Sequence, residues 1–252
     1  MLEPGYSLIW SFRNRIEVLE KSIQSAHFSC PMDVDFCLID AASDENNIRE
    51  LRRFCSSIEG RTIRICESTY RTSLVEAWNL GIMLTKNRHV IYSSSDVLFN
   101  IGWYKRIKQE MESGGEYVLL GSHAVFGLDK KVVGKIGWWD EGFHNGPHFD
   151  PDYMIRATEA GVAMRILNND GYFGHEPEGL SYGERSKKEF KDRLPMNDLY
   201  NENYFKAKWQ SDWPGWEGVP GPDMPHPPTT IKICRRLRPE RDTHPSYTEK
   251  MK

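Results

Sequence analysis

Four short apolar runs, separated by helix-like segments, fill the first hundred residues, and that order restricts the chain to a narrow group of folds. Residues 6–12 (YSLIWSF), 36–39 (FCLI), 62–66 (TIRIC) and 90–93 (VIYS) have the length and continuous apolarity of strands covered on both faces. After the first run, Asn14 reads as a helix N-cap with Glu17 three residues on, and Ile16, Leu19 and Ile23 mark a buried face. After the second, Ser43 and Asp44 are candidate caps for a helix carrying Ile48, Leu51, Phe54, Cys55 and Ile58. Ahead of the fourth, Ser73 and Glu76 form a capping-box pattern that opens a helix reaching about Thr85. This β-α-β-α-β-α-β order predicts an α/β fold with a mainly parallel central sheet and helices on both faces. Such sheets bind ligands at the carboxyl ends of their strands, at a switch point in strand order. Arg13, Asp40 and Asp96 all fall at those ends.

The second half is less regular. Residues 117–128 (YVLLGSHAVFGL) read as one bent strand or a hairpin, 130–136 as a short helix, and 138–149 as a loop rich in Gly, His, Trp and acid. A helix is expected over 150–160, strands over 162–167 and 172–176, and polar helices within 184–209. From Trp213 the composition shifts to WPGWEGVPGPDMPHPP, which cannot be regular structure. The expected organisation is one domain over 1–212, with a donor-side half (1–100) and an acceptor-side half (101–212), followed by a Pro/Gly-rich extension over 213–252.

Composition narrows the function classes. Among 252 residues the formal charge is −3, without the basic footprint of a general nucleic-acid binder. No apolar run approaches the roughly 18 residues of a membrane-spanning helix, and residues 1–7 lack the basic start of a secretory leader. The five cysteines form no C-x-x-C pair, so buried reduced thiols and a reducing, cytoplasmic setting are expected. An aromatic content of 12% suits a sugar-binding cleft as well as a core.

Asp96 follows three serines at the end of the fourth run. Magnesium and manganese bridge carboxylates to substrate phosphates, which fits an Asp where the sheet opens. An Asp capping the next turn fits the local sequence equally. Asp150-Pro-Asp152 has the form of a helix start, with Pro at the first helical position. It also offers two carboxylates for general-base work. Arg71, ahead of the capping box, is either a phosphate contact or a solvated surface residue.

Taken in order, these segments resemble glycosyltransferase family 2 and its GT-A relatives. Ala77-Trp-Asn79-Leu-Gly81-Ile82, then the strand ending at Asp96, is similar to the family's A-x-N-x-G-I helix followed by a D-x-D strand end. Ile39-Asp40-Ala41-Ala42-Ser43 resembles V-D-D-x-S, and Phe12-Arg13-Asn14-Arg15 resembles a T-Y-N-R turn. Gly137-Trp138-Trp139-Asp140-Glu141-Gly142-Phe143 resembles the acceptor-side G-x-F-D-E-x-F segment. Asp150-Pro-Asp152 with Arg156 and Gly161 resembles E-D-x-D-x-x-x-R-x-x-x-x-G, and the likeness spans roughly residues 5–210.

The resemblance implies a nucleoside-diphosphate-sugar donor, Mn2+ or Mg2+, and a hydroxyl acceptor on a glycan, glycoprotein or other molecule. By position it implies donor contacts from Arg13, Asp40, Asn79, Ser95 and Asp96, with Arg71 added from its loop. It implies metal ligands at Asp96 and His175, an acceptor segment at Trp139, Asp140 and Glu141, and a catalytic base at Asp150 with Asp152 as runner-up. The match at Asp150 favours inversion. Departures are clear: Ser94 replaces the first Asp of D-x-D, Ala41 the second Asp of V-D-D, Phe149 the Glu of E-D, and Trp78 an Arg of the helix motif. Ser94 keeps an inactive sugar- or nucleotide-binding module open as an alternative. A nucleotidyltransferase is a further alternative, weakened because the first-strand turn lacks glycine.

Overall fold

The structure is a computed structural model that describes residues 2–70, 72–143, 148–176 and 194–209. The elements run β1 (Glu3–Phe12), α1 (Ile16–Ser29), β2 (Asp35–Asp40), α2 (Glu45–Ser57), β3 (Ile63–Glu67), α3 (Leu74–Leu84), β4 (Asn87–Ser93) and β5 (Val97–Phe99). They continue with α4 (Trp103–Glu112), β6 (Tyr117–Leu120), β7 (Ser122–Asp129), α5 (Lys131–Ile136), α6 (Phe149–Glu159), β8 (Met164–Leu167), β9 (Phe173–His175) and α7 (Leu194–Trp209).

Among the described residues, seven strands form one sheet in the order β3-β2-β1-β4-β7-β6-β8, and β5 pairs with β9 in a small second sheet. Strands β3, β2, β1 and β4 are mutually parallel, β7 runs antiparallel between β4 and β6, and β6 and β8 are parallel. Side chains alternate between two cores because a strand's period is two. Leu8, Trp10, Phe36 and Leu38 pack on the face covered by α1, α2 and α4. Ile9, Cys37 and Ile39 pack on the opposite face with α3, α5 and α6. The sheet passes without interruption from the first hundred residues into the second half.

Local chemistry explains several departures from the sequence expectations. Helix α1 has no capping box: Asn14 and Arg15 both take left-handed φ (52° and 58°), and the cap residue makes no side-chain bond. Ser73 and Glu76 do form the expected box on α3. Residues 117–128 form the hairpin, turning at Gly121 with φ 74°. Helix α4 occupies a segment to which the pattern analysis assigns no element, burying Trp103, Tyr104, Ile107 and Met111. Strand β5, at three residues, is too short to show a period.

Gly81 lets α3 approach the sheet, since a Cβ there would lie 2.7 Å from the Ile9 side chain. Cys30 and Cys37 are buried, Cys55 and Cys66 partly so, and all four are free thiols. No described helix is long and apolar enough to cross a membrane. Arg71 and the extension from Trp213 lie outside the described residues.

Candidate active site

The parallel register aligns the carboxyl ends of β1, β2 and β4. Phe12 pairs with Asp40 and Trp10 with Ser93, so the turns after all three strands open at one edge. The first two turns are tied together. The Asn14 N–H donates to Ser43 Oγ at 2.7 Å, and the Asp44 N–H donates to Asn14 Oδ1 at 2.9 Å. Asn tolerates the left-handed backbone this requires.

Asp40 organises the same knot. Its carboxylate accepts the Ser43 N–H at 3.0 and 3.1 Å as well as the Ser43 hydroxyl, and the residue is 2% exposed. Burial raises its pKa against the opposing pull of the Ser43 bonds. Asp40 thereby organises the turn after β2, and its carboxylate, with two acceptor oxygens, keeps capacity beside the Ser43 bonds. Arg13, beside it, is exposed.

Asn79 also serves the fold. Its Nδ2 donates to the Trp139 carbonyl at 2.9 Å and to Glu141 Oε1 at 2.8 Å, while its Oδ1 accepts the Trp139 N–H at 3.1 Å. The residue is fully buried and clamps α3 to the 137–143 loop. Trp139 is likewise core: it stacks on Tyr153 at 3.8 Å and packs edge-on to Trp78 at 4.7 Å. Asp140 accepts the Gly142 N–H at 2.9 Å, the Tyr204 hydroxyl at 3.0 Å and the Lys208 ammonium. Trp139 and Asp140 thus build the 137–143 loop from within, and Glu141 is the partly exposed member of the three.

Asp152, the second candidate base, lies inside the fold. It is fully buried, accepting from Arg156 Nε at 3.0 Å and Trp209 Nε1 at 2.9 Å, and ion-paired with Arg156 Nη2 at 2.8 Å and Lys208 Nζ at 2.8 Å. Desolvation works to raise its pKa, but Arg156 and Lys208 outweigh it and hold the carboxyl below the usual range. Both oxygens of Asp152 are engaged by these neighbours.

Three groups remain at the edge. After β4, Ser94 donates its N–H to the Ala124 carbonyl at 2.8 Å, and half-buried Ser95 leads into Asp96. Strand β9 then lies against β5, with His175 opposite Val97, and the Glu176 N–H donates to the Asp96 carbonyl at 2.8 Å. His175 Nδ1 comes within 3.4 Å of Asp96 Oδ1, the side chains being 51% and 18% exposed. Desolvation pushes Asp96 up, yet His175 and the charge of Arg15 prevail and lower it, while the bond to Asp96 raises His175. Arg15, which carries no site signal in the sequence, also bears on Asp96: it sits in the left-handed turn after β1, and its charge helps lower the carboxyl.

The third group is Asp150, in the first turn of α6. Burial pushes its carboxyl up to about 8. Oδ2 lies 3.6 Å from His123 Nδ1, and Oδ1 is buried without a hydrogen-bond partner among the described residues. An orphaned buried acceptor costs about 1–3 kcal/mol, a strain common where a ligand completes the site. His123 is the second residue of β7 and precedes Ala124, so the backbone bond to Ser94 sets Asp150 and Asp96 on one edge. A histidine at a hairpin edge gave no signal in the sequence, because its partner lies on a distant helix.

A carboxylate oxygen with one imidazole nitrogen is a donor set that suits Mn2+ better than Mg2+, which takes oxygen ligands. Among the described residues no group of three or more His, Cys, Asp or Glu gathers around one point. The Asp96–His175 pair fits an ion whose other ligands are phosphate oxygens and water, as is usual for such metals.

Solved structures share this architecture. The mannosyltransferase PcManGT of Pyrobaculum calidifontis, in complex with GDP-Man and Mn2+, is similar at TM-score 0.61 and 13% identity, over 82% of this chain and 72% of that one. S. aureus TarS 1-349 is similar at TM-score 0.58 and 9% identity, over 82% and 72%. GalNAc-T7 with UDP, GalNAc and Mn2+ is similar at 0.56 and 12%, over 81% of this chain and 50% of that one. No curated protein sequence matches. The sequence pattern described as glycosyl transferase family 2 matches residues 7–161, more than half of the chain. The sheet order, the edge that gathers Asp96, His175 and Asp150, and this match agree: the chain belongs to glycosyl transferase family 2 and carries its GT-A fold.

Proposed function

We propose that the protein is a metal-dependent, inverting glycosyltransferase that moves a sugar from a nucleoside-diphosphate sugar to an acceptor hydroxyl. The convergence of Asp96, His175 and Asp150 on one sheet edge carries this reading. Asp96 and His175 would hold a divalent cation with the donor diphosphate, and Arg15 adds positive charge beside them. Two similar folds, PcManGT with GDP-Man and Mn2+ and GalNAc-T7 with UDP, GalNAc and Mn2+, support the same class of ligand here. When bound, the ion supplies charge neutralisation for the departing nucleoside diphosphate.

Asp150 is the base of this reading. Its ionised carboxylate takes the acceptor hydroxyl's proton as the hydroxyl oxygen bonds to the anomeric carbon from the face opposite the leaving group. A carboxyl raised to about 8 is a stronger base than an ordinary one and is still partly ionised near neutrality. Glu141 stands at the acceptor side through its bond to Asn79.

The test is nucleoside diphosphate release from a panel of UDP, GDP and dTDP sugars, with and without Mn2+. Turnover with at least one donor is expected, lost in Asp96→Ala. Asp150→Asn should lower transfer by about 10³-fold while donor binding persists. Binding without turnover would favour an inactive binding module, in keeping with Ser94 at the D-x-D position, and no binding across the panel would refute the proposal.

A further inference from the structure

We propose that His123, held in turn by Tyr117, is a positioning residue for the base: it fixes one oxygen of Asp150 and leaves the other to the acceptor hydroxyl. This rests on the reading of Asp150 as base. The geometry is a line of three polar groups in apolar surroundings. Tyr117 Oη lies 2.5 Å from His123 Nε2, and His123 Nδ1 lies 3.6 Å from Asp150 Oδ2. Tyr117, Phe126 and Trp139 box the imidazole edge-on or tilted, with centroids at 6.0, 5.6 and 6.4 Å.

The box settles the protonation. Burial drives the imidazole down to about 3, so the ring is neutral near pH 7 and carries one N–H. Tyr117 is buried and its phenol is pushed well above its ordinary range, so it keeps its proton. The other groups bearing on Tyr117 are Asp150, Tyr153, Arg156 and Tyr92. A tyrosine O–H that donates to Nε2 leaves the ring hydrogen on Nδ1, where it points at Asp150. At 3.6 Å the pair is an electrostatic contact longer than a hydrogen bond, and the Nδ1–H dipole already acts on the Asp150 charge in the chain without ligand.

This arrangement serves both states of the base. With Asp150 ionised, Nδ1–H faces Oδ2 and Oδ1 is the free acceptor. When the hydroxyl's proton moves to Oδ1, Oδ2 still faces Nδ1–H. No proton passes to His123, and no buried group loses its partner during transfer. Oδ1 is the atom that has no partner among the described residues, as this division requires.

The experiment uses the full chain without ligand. Two-bond proton–nitrogen spectra of 15N-labelled protein at pH 7 should show His123 neutral with its hydrogen on Nδ1, the less common tautomer, and Tyr117→Phe should return it to Nε2. In carboxyl-13C titrations, with Asp150 assigned by Asp150→Asn, His123→Phe should raise the Asp150 midpoint by about one unit, about tenfold in proton affinity. His123→Asn, which keeps an N–H near the Nδ1 position, should restore it. A charged or Nε2–H His123, or an Asp150 midpoint unmoved in His123→Phe, overturns the proposal. If His123→Phe does not fold, the Tyr117→Phe tautomer and the His123→Asn midpoint carry the same decision. Failure of the parent reading is separate: full sugar transfer by Asp150→Asn removes the base itself, whatever the tautomer of His123.

Discussion

Asp150 and Asp152 stand two positions apart in the first turn of one helix, and their surroundings could hardly differ more. Asp152 is enclosed by Arg156, Lys208 and Trp209, and Lys208 also bridges to Asp140. Two acids and two bases make a buried cluster of no net charge. Asp150 has one oxygen facing a neutral histidine and the other facing no protein group among those described. Two residues on a helix are about 200° apart, so the pair points to opposite sides. The same acidic motif therefore yields one carboxylate that fastens α7 to the domain and one left able to exchange a proton. Saturation by neighbours, not acidity as such, separates a structural carboxylate from a chemical one.

The largest effect expected from this contrast lies on the closed side. Lys208→Met leaves Asp140 and Asp152 facing each other in the interior with only Arg156 in compensation. Breaking a buried ion pair from one side costs about 3–5 kcal/mol, which at this chain length corresponds to a melting temperature lower by about 10 °C. The cluster also sets an acid limit. Asp152 is held below its ordinary value, so its contribution is present above that value and is lost as the pH falls through the depressed one. A thermal melt of the variant at neutral pH checks the first point, and an unchanged midpoint would dissolve the distinction.

Next in size is Asn79→Ala. It strands the Trp139 N–H and carbonyl in the core, a loss of about 2 kcal/mol measurable by denaturant unfolding. The smallest effect belongs to Asp150 and pH. With its carboxyl at about 8, the rate of sugar transfer should rise about fivefold from pH 7 to pH 8. Stability moves oppositely: the folded chain keeps a proton between 3.8 and about 8 that the unfolded chain has released, so the stabilisation present at low pH declines across that window. A flat rate profile over those pH values would remove Asp150 from the chemistry.

The central sheet was legible because its signal is local. Continuous apolar runs ending in Asp40 or leading to Asp96 give both the strands and their carboxyl edge, and Ser73 with Glu76 gives a helix start. What escaped is nonlocal or dihedral. Asn14 has the identity of a cap, but its left-handed backbone makes it a suture to Ser43 and Asp44. Asp150 and Asp152 are alike by residue type and helix position, and the group that distinguishes them, Trp209, lies 57 residues further on. His123 carried no mark at all, since only the hairpin and α6 together give it a role. Asp96 and His175 sit side by side through the pairing of two three-residue strands, a length at which no period can be read.

The most direct measurement is a matched pair of thermal melts, Asp150→Asn against Asp152→Asn, at neutral pH. The account predicts that Asp152→Asn melts about 10 °C below the parent chain, while Asp150→Asn melts at the parent temperature or slightly above it. Equal losses in the two variants, or a loss confined to Asp150→Asn, would contradict it.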